Sequence, residues 1–185
     1  MIVIHIDNNS PDAKILSRIY EGLDGITLSY NRSKSNIKRL LRITGDEPVM
    51  LLGHGSPQGL LNISQNGYAV GSECVKWLRG RPVIGIFCYA SDFADKYRLS
   101  GFFTSMFISN MQEAIIEQED RDATDEIIAT QQSIFCDRIR GLLIQNTPMS
   151  EWPGILQSKA DLSLPFVRFN YEALTYYEWK TKRFM

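Results

Sequence analysis

Short apolar runs of strand length, separated by segments of helical character, constrain the fold of this chain most strongly. Four predicted strands come first in the chain, at residues 1–7, 26–31, 48–53 and 82–91. Three predicted helices alternate with them, at residues 12–23, 33–44 and 73–80. The near-continuous apolar character of the first and third runs is typical of strands buried on both faces. The order of elements therefore predicts an α/β fold with a parallel sheet and helices on both faces.

The rest of the chain extends this pattern less regularly. A small hairpin is predicted between the third and fourth strands, a fifth strand at residues 101–109, and the longest helix at residues 122–145. Residues 165–179 are expected to supply a sixth strand and a closing segment. No internal repeat or linker divides the chain, and 185 residues are enough for one full core. We expect a single domain of residues 1–185.

Charge and composition exclude several classes of partner. The net charge is −1, from 20 basic and 21 acidic residues, whereas nucleic-acid binding depends on a basic surface. No run reaches the roughly 18 apolar residues of a membrane helix, and the amino terminus lacks the basic start of a signal peptide. Three cysteines without a CxxC motif indicate free thiols in a reducing, cytoplasmic compartment. The sequence predicts no metal site, because no ligand spacing occurs, and no cofactor.

A histidine and a cysteine occupy equivalent positions at the ends of two predicted strands. His54 lies between Gly53 and Gly55 at the end of the third strand, and Cys88 follows 34 residues later at the end of the fourth. Ligands and catalytic groups gather at the carboxyl ends of parallel strands. If these two strands are neighbours, about 4.8 Å apart, the imidazole and the thiol face each other. A histidine can lower the pKa of a thiol and transfer its proton, which predicts a catalytic pair.

Other residues at this edge have predicted roles in binding. The backbone N–H groups of Gly55 and Cys88 are expected to form an oxyanion hole. Ser56 fits a turn and is also able to hydrogen-bond a substrate backbone. Asp7, at the end of the first strand, is expected to pair with a substrate lysine or arginine, although an aspartate after a strand is also common in turns.

Each candidate has a purely structural interpretation. A histidine between glycines fits a tight turn, and a free cysteine is among the residues most often buried in a core. Cys74, in the first turn of a helix, and Cys136, beside an apolar stripe, have no histidine partner readable in the sequence. His5 lies inside the first buried strand, where we expect a neutral, packed imidazole.

These motifs together resemble the caspase-like cysteine peptidases, which include caspases, metacaspases, separase, gingipains and CHAT domains. The resemblance covers about residues 1–145. The run from Cys88 to Ser109 is followed by the predicted helix at residues 122–145, whose first turn is rich in acidic residues. This combination is most similar to the CHAT branch. The resemblance implies a three-layer α/β/α caspase-hemoglobinase fold, the first four strands in the order 2-1-3-4, and a His54–Cys88 dyad. It also implies a protein or peptide substrate and regulation in a stress, death or defence pathway, with an activating partner protein.

Two departures from the family pattern bear on specificity. Ile86 and Phe87 precede the cysteine, in place of the Gln-Ala of caspases or the Asp-Ser common in metacaspases, and the His–Cys interval is shorter than the caspase interval of about 50 residues. A catalytically silent caspase-like adaptor module is the main alternative. An amidotransferase or DJ-1-like enzyme is more remote, because its histidine follows the cysteine and no histidine follows residue 54. The preferred expectation is a cysteine endopeptidase.

Overall fold

The computed structural model describes residues 1–118 and 120–179 of the chain. Their strands, in chain order, are β1 (Ile2–Ile6), β2 (Thr27–Tyr30), β3 (Val49–Gly53), β4 (Gly55–Ser56), β5 (Gly59–Asn62), β6 (Gly67–Val70), β7 (Pro82–Ile86), β8 (Ser100–Phe103) and β9 (Thr175–Tyr177). Their α-helices are α1 (Pro11–Lys14), α2 (Lys34–Ile43), α3 (Val75–Leu78), α4 (Ala90–Tyr97), α5 (Met111–Gln118), α6 (Asp125–Ile144), α7 (Trp152–Ser158) and α8 (Pro165–Glu172). The predicted domain of residues 1–185 also includes residues 119 and 180–185, which lie outside the described residues.

Six strands form the main sheet, in the order β2-β1-β3-β7-β8-β9. The first five in this order run parallel to one another, and β9 pairs antiparallel to β8. The prediction of an α/β fold with a mostly parallel sheet is therefore confirmed. The four strands predicted first correspond to β1, β2, β3 and β7, so the expected order 2-1-3-4 is observed.

The segment between β3 and β7 forms a second, smaller sheet. Strand β5 pairs antiparallel with β6, as the predicted hairpin requires, and β4 adds a third strand on the other side of β5. A single residue, His54, separates the end of β3 from the start of β4. His54 therefore lies at the junction between the two sheets.

Apolar side chains cover both faces of the main sheet. Val3 and Met50 belong to a buried cluster that includes residues of α6, α7 and α8. Ile4 and Leu51, the next residues along the same strands, belong to a second cluster with residues of α2, α3 and α4. Since successive strand residues point to opposite faces, this burial explains the continuous apolar runs. Among the described residues, none of the helices combines the length and apolarity that crossing a membrane requires.

The ends of the longer helices follow from their sequences. The Ser33 side chain accepts a hydrogen bond from the Asn36 N–H at the start of α2, and Thr124 caps α6 in the same way through the Ile127 N–H. The predicted helix at residues 12–23 is shorter than expected: α1 ends at Lys14 and continues as a 3₁₀ helix over Ile15–Ile19.

Candidate active site

His54 and Cys88 both lie at the carboxyl edge of the main sheet, where they line the same cleft. Strands β3 and β7 are adjacent and parallel, with Leu52 in register with Ile86. His54 is the first residue beyond β3 and Cys88 the second beyond β7. Both line one cleft, together with residues of α1, α6 and the segment after β8. Its free volume of about 30 Å³ holds about two water molecules, so the cleft is too small for a substrate side chain.

Two close contacts explain the glycines on either side of His54. Gly53 has φ +139°, and a side-chain carbon there would lie 2.2 Å from the Ile6 carbonyl oxygen. A carbon on Gly55 would lie 2.1 Å from the Phe87 ring. Glycine at both positions therefore lets the chain leave the sheet while packed against β1 and against the residue that precedes Cys88.

The imidazole of His54 is oriented by residues that follow β1. Its Nε2 lies 2.9 Å from Ser10 Oγ and 3.6 Å from Asp12 Oδ2. Ser10 Oγ donates its hydrogen to Asp12 Oδ1, and it accepts the Ala13 N–H at 3.3 Å. Because a serine hydroxyl has one hydrogen to donate, the contact with Asp12 assigns the donor role in the His54–Ser10 bond to Nε2–H. The same tautomer leaves a lone pair on Nδ1.

Further hydrogen bonds hold Asp12 in place from two other elements. Ser109 Oγ donates to Asp12 Oδ2 at 2.8 Å and lies 3.1 Å from Glu113 Oε2. Gln132 Nε2, on α6, donates to the Asp12 carbonyl at 2.9 Å. The chain from His54 through Ser10 to Asp12 is therefore anchored to the segment after β8 and to the longest helix.

The position of Cys88 is fixed by the neighbouring strand. The Phe87 N–H donates to Thr104 Oγ1 at 3.2 Å, and the Thr104 hydroxyl lies 2.9 Å from the Phe87 carbonyl. Tyr89 has a left-handed conformation, with φ 63°, and its N–H donates to Ser105 O at 3.0 Å. The chain thus turns sharply from β7 into α4 directly after the thiol.

Burial keeps the Cys88 thiol neutral. Removal from solvent raises its pKa to about 11, and the negative charges of Glu113 and Asp12 act in the same direction. The thiol donates to the Phe107 carbonyl at 3.7 Å. The expectation that the nearby imidazole would lower the thiol pKa is therefore wrong for this conformation, because burial dominates.

The two predicted oxyanion donors differ in their surroundings. Among the described residues, the N–H of Cys88 has no hydrogen-bond acceptor. Gly55 pairs with Leu60 in β5, and the Leu61 N–H donates to the His54 carbonyl at 2.8 Å. This is the pattern of a non-hydrogen-bonded pair, which directs the Gly55 N–H away from β5. Gly55 packs against Phe87 but is not part of the cleft lining.

The two predicted substrate-binding side chains lie outside the cleft lining. Asp7 is only 2% exposed, and its carboxylate accepts hydrogen bonds from the Tyr30 hydroxyl, the Asn31 amide and the Asn9 N–H. These bonds lower its pKa against the effect of burial. Ser56 Oγ contacts Gln58 and the Tyr68 hydroxyl within the small sheet. Asp7 therefore ties β1 to β2, and we assign it no role in substrate binding.

The other cysteines and the other histidine are structural, as their sequence context suggests. Cys74 and Cys136 are fully buried, and burial raises the pKa of both thiols. His5 is fully buried within β1, and burial lowers its pKa. Cys88 is the partly exposed member of the three cysteines.

Sequence reasoning missed Ser10, Asp12, Ser109 and Gln132. A signal for the first two was present, since they follow β1 and so lie at the same carboxyl edge as His54 and Cys88. Ser109 and Gln132 reach the cleft only through the folding of distant segments, and no local pattern marks them. No family model, curated protein or solved structure matches this chain, so the chemistry of the cleft is inferred from its own geometry.

Proposed function

We propose that this chain is a cysteine endopeptidase in which Cys88 is the nucleophile and His54 the general base. The observation that carries the proposal is the shared cleft at the carboxyl ends of β3 and β7, in which Nε2 of His54 is engaged by Ser10 and lies near Asp12. A thiol and an oriented imidazole at this position are the groups that acyl transfer requires.

The proposed reaction begins with transfer of the Cys88 thiol proton to Nδ1 of His54. The sulfur forms a bond to the carbonyl carbon of the substrate, and the carbonyl oxygen takes the negative charge. The imidazolium then donates its proton to the leaving amine as the C–N bond breaks, which leaves a thioester on Cys88. Water then attacks the thioester carbonyl while His54 accepts a water proton. The C–S bond breaks, the carboxylic acid product leaves, and the imidazolium returns its proton to the Cys88 sulfur.

Backbone groups and a larger groove supply the remaining requirements. The N–H of Cys88, joined by that of Gly55, is the proposed donor to the oxyanion. A groove with a free volume of about 740 Å³ adjoins the cleft, and the two share Asp12, Ser109 and Gln132. This volume falls within the range of about 300–1,000 Å³ that is usual for ligand sites, so the groove is the proposed site for substrate side chains.

We further propose that the enzyme is caspase-like, with the CHAT branch as the nearest type, and that its activity is regulated. The strand order and the two strand-end positions support the assignment. Because the cleft is small and the Cys88 thiol is neutral and donates to the Phe107 carbonyl, we propose that the segment after β8, which carries Phe107, moves when a substrate reaches Cys88. An activating partner protein is one source of that movement.

One observation favours a second function, a catalytically silent module of the same fold. The Cys88 thiol has a pKa of about 11, and the cleft around it has room for only a few water molecules. A non-catalytic relative of the same fold would have the same two properties. The two functions differ in one measurable property: only a peptidase requires both Cys88 and His54 for cleavage of a substrate.

The test is the substitution of each member of the pair. Cys88→Ala and His54→Ala should each reduce peptide-bond cleavage by about 10³-fold or more, measured as new amino termini in a cell extract by mass spectrometry. Circular dichroism should show an unchanged fold. Ser56→Ala, beside His54 but outside the cleft lining, is the matched control and should keep full activity. Full activity in a folded Cys88→Ala or His54→Ala variant contradicts the proposal. If the wild-type protein produces no cleavage in any preparation, the result favours the silent module.

A further inference from the structure

The free edge of β2 has the features of a docking site for an extended polypeptide. Among the strands of the described residues, β2 is the outermost of the main sheet and pairs with β1 alone. The N–H groups of Thr27 and Asn31 donate to the carbonyls of Met1, just before β1, and of His5, within β1, at 3.0 and 2.9 Å. Since a parallel strand bonds to one neighbour through alternate residues, Leu28 and Tyr30 direct their N–H and C=O groups outward. This edge carries no proline, lysine or bulge of the kind that protects exposed edges.

A groove runs beside this edge, between β2 and α2. It includes Leu28, Asn36 and Leu40, and Arg32 and Arg39 lie at its margins. Its free volume is about 340 Å³. Leu28 and Tyr30 are 47% and 40% exposed. By their register with Val3 and His5, the Leu28 and Tyr30 side chains point to the face of the sheet opposite α2. A strand added to β2 would therefore place alternate side chains beside the groove on one face and beside Leu28 and Tyr30 on the other, the geometry by which sheet edges bind peptides.

The charge beside the groove indicates the chemistry of the partner. Residues 32–43 contain five lysines and arginines and no acidic residue, although the whole chain has a net charge of −1. Lys34 and Lys38 lie near Glu73. Within residues 1–118 and 120–179, the two arginines of the groove lining, Arg32 and Arg39, form no salt bridge. Arginines without carboxylate partners beside a strand edge favour an acidic peptide.

A second copy of this chain is a poorer occupant for the same reason. Pairing of two β2 edges about a two-fold axis would bring both sets of arginines together, and like charges repel. We propose that the β2 edge binds an extended, acidic segment of a partner protein, which adds to the sheet as a further strand. This proposal does not depend on the peptidase activity.

The test uses a blocked heptapeptide of alternating glutamate and valine as the probe, with a lysine–valine peptide for comparison. Fluorescence anisotropy measures binding to the full chain, and hydrogen exchange measures protection of the Leu28 and Tyr30 amides. The glutamate peptide should bind and protect both amides, and the lysine peptide should not. Arg32→Glu with Arg39→Glu should weaken binding by about tenfold or more, whereas Arg42→Glu, on the same helix but outside the groove lining, should change it little.

Leu28→Pro separates strand addition from simple charge attraction. Its N–H faces away from β1, so proline there removes an outward donor and leaves the β1–β2 ladder intact. Loss of binding in folded Leu28→Pro supports the proposal. The proposal is overturned if the glutamate peptide fails to bind, if it binds without protecting the Leu28 and Tyr30 amides, or if a single-stranded oligonucleotide binds in its place.

Discussion

The two histidines occupy regions with opposite properties. His5 lies inside β1, fully buried, with Nδ1 2.9 Å from the Tyr20 hydroxyl and Nε2 2.8 Å from the Ala13 carbonyl. His54 lies just beyond β3, in the cleft, with Nε2 engaged by Ser10 and Nδ1 free of partners among the described residues. A strand interior satisfies both ring nitrogens, whereas the strand end leaves one nitrogen for chemistry. Position along the strand, more than residue type, separates the structural histidine from the candidate base.

The largest difference expected between the two histidines concerns stability. His5→Ala leaves a cavity and two buried hydrogen-bonding groups without partners, so we expect the free energy of unfolding to fall by about 3 kcal/mol. His54→Ala, at a partly exposed site, should change it by less than about 1 kcal/mol. Urea unfolding of both variants measures the difference. Equal losses would mean that His54 is as structural as His5.

A smaller effect is expected from Asp12, which orients His54 through Ser10. Asp12→Asn weakens the acceptor for the Ser10 hydroxyl, so the Nε2–H tautomer is less favoured and kcat should fall by about tenfold with little change in KM. Asp161→Asn, at an exposed residue outside both the cleft and the larger groove, serves as the matched control. Equal kcat values in Asp12→Asn and wild type would remove Asp12 from the proposed site.

The smallest effect is the contribution of His5 to the pH dependence of stability. Burial lowers the pKa of His5 below 6.5 in the folded chain, so below that pH the unfolded chain binds a proton that the folded chain does not. The stabilising contribution is complete above pH 6.5 and is lost as the pH falls, by at most about 1.4 kcal/mol per pH unit. Urea midpoints at several values between pH 7.5 and 5.5 measure this slope. His5→Gln should reduce it, and an unchanged slope would assign the pH dependence to other groups.

Much of the sheet and the position of the candidate pair were predictable from the sequence. Strands buried on both faces have continuous apolar runs, and a parallel sheet brings their carboxyl ends to one edge. His54 and Cys88 could therefore be located without a structure. Their surroundings could not, because Asp12, Ser109 and Gln132 come from three segments that meet only after folding.

The errors of prediction have related physical causes. Asp7 looked available at a strand end, but Tyr30 and Asn31 from the neighbouring strand satisfy its carboxylate. The high pKa of Cys88 follows from burial beneath a segment that no local pattern connects to it. The expectation of a strand and a closing segment at residues 165–179 omitted α8, because Pro165 stands in the first turn of that helix, where the missing N–H of proline has no helical partner to lose.

The central claim, that His54 acts on the Cys88 thiol, is tested most directly by limited alkylation with iodoacetamide at neutral pH, followed by peptide mapping. The account predicts that Cys88 is labelled before Cys74 and Cys136, both fully buried. It also predicts that His54→Ala slows labelling of Cys88 by about tenfold or more, because the base that removes the thiol proton is lost. Equal rates in wild type and His54→Ala, or labelling of Cys74 or Cys136 before Cys88, would contradict it.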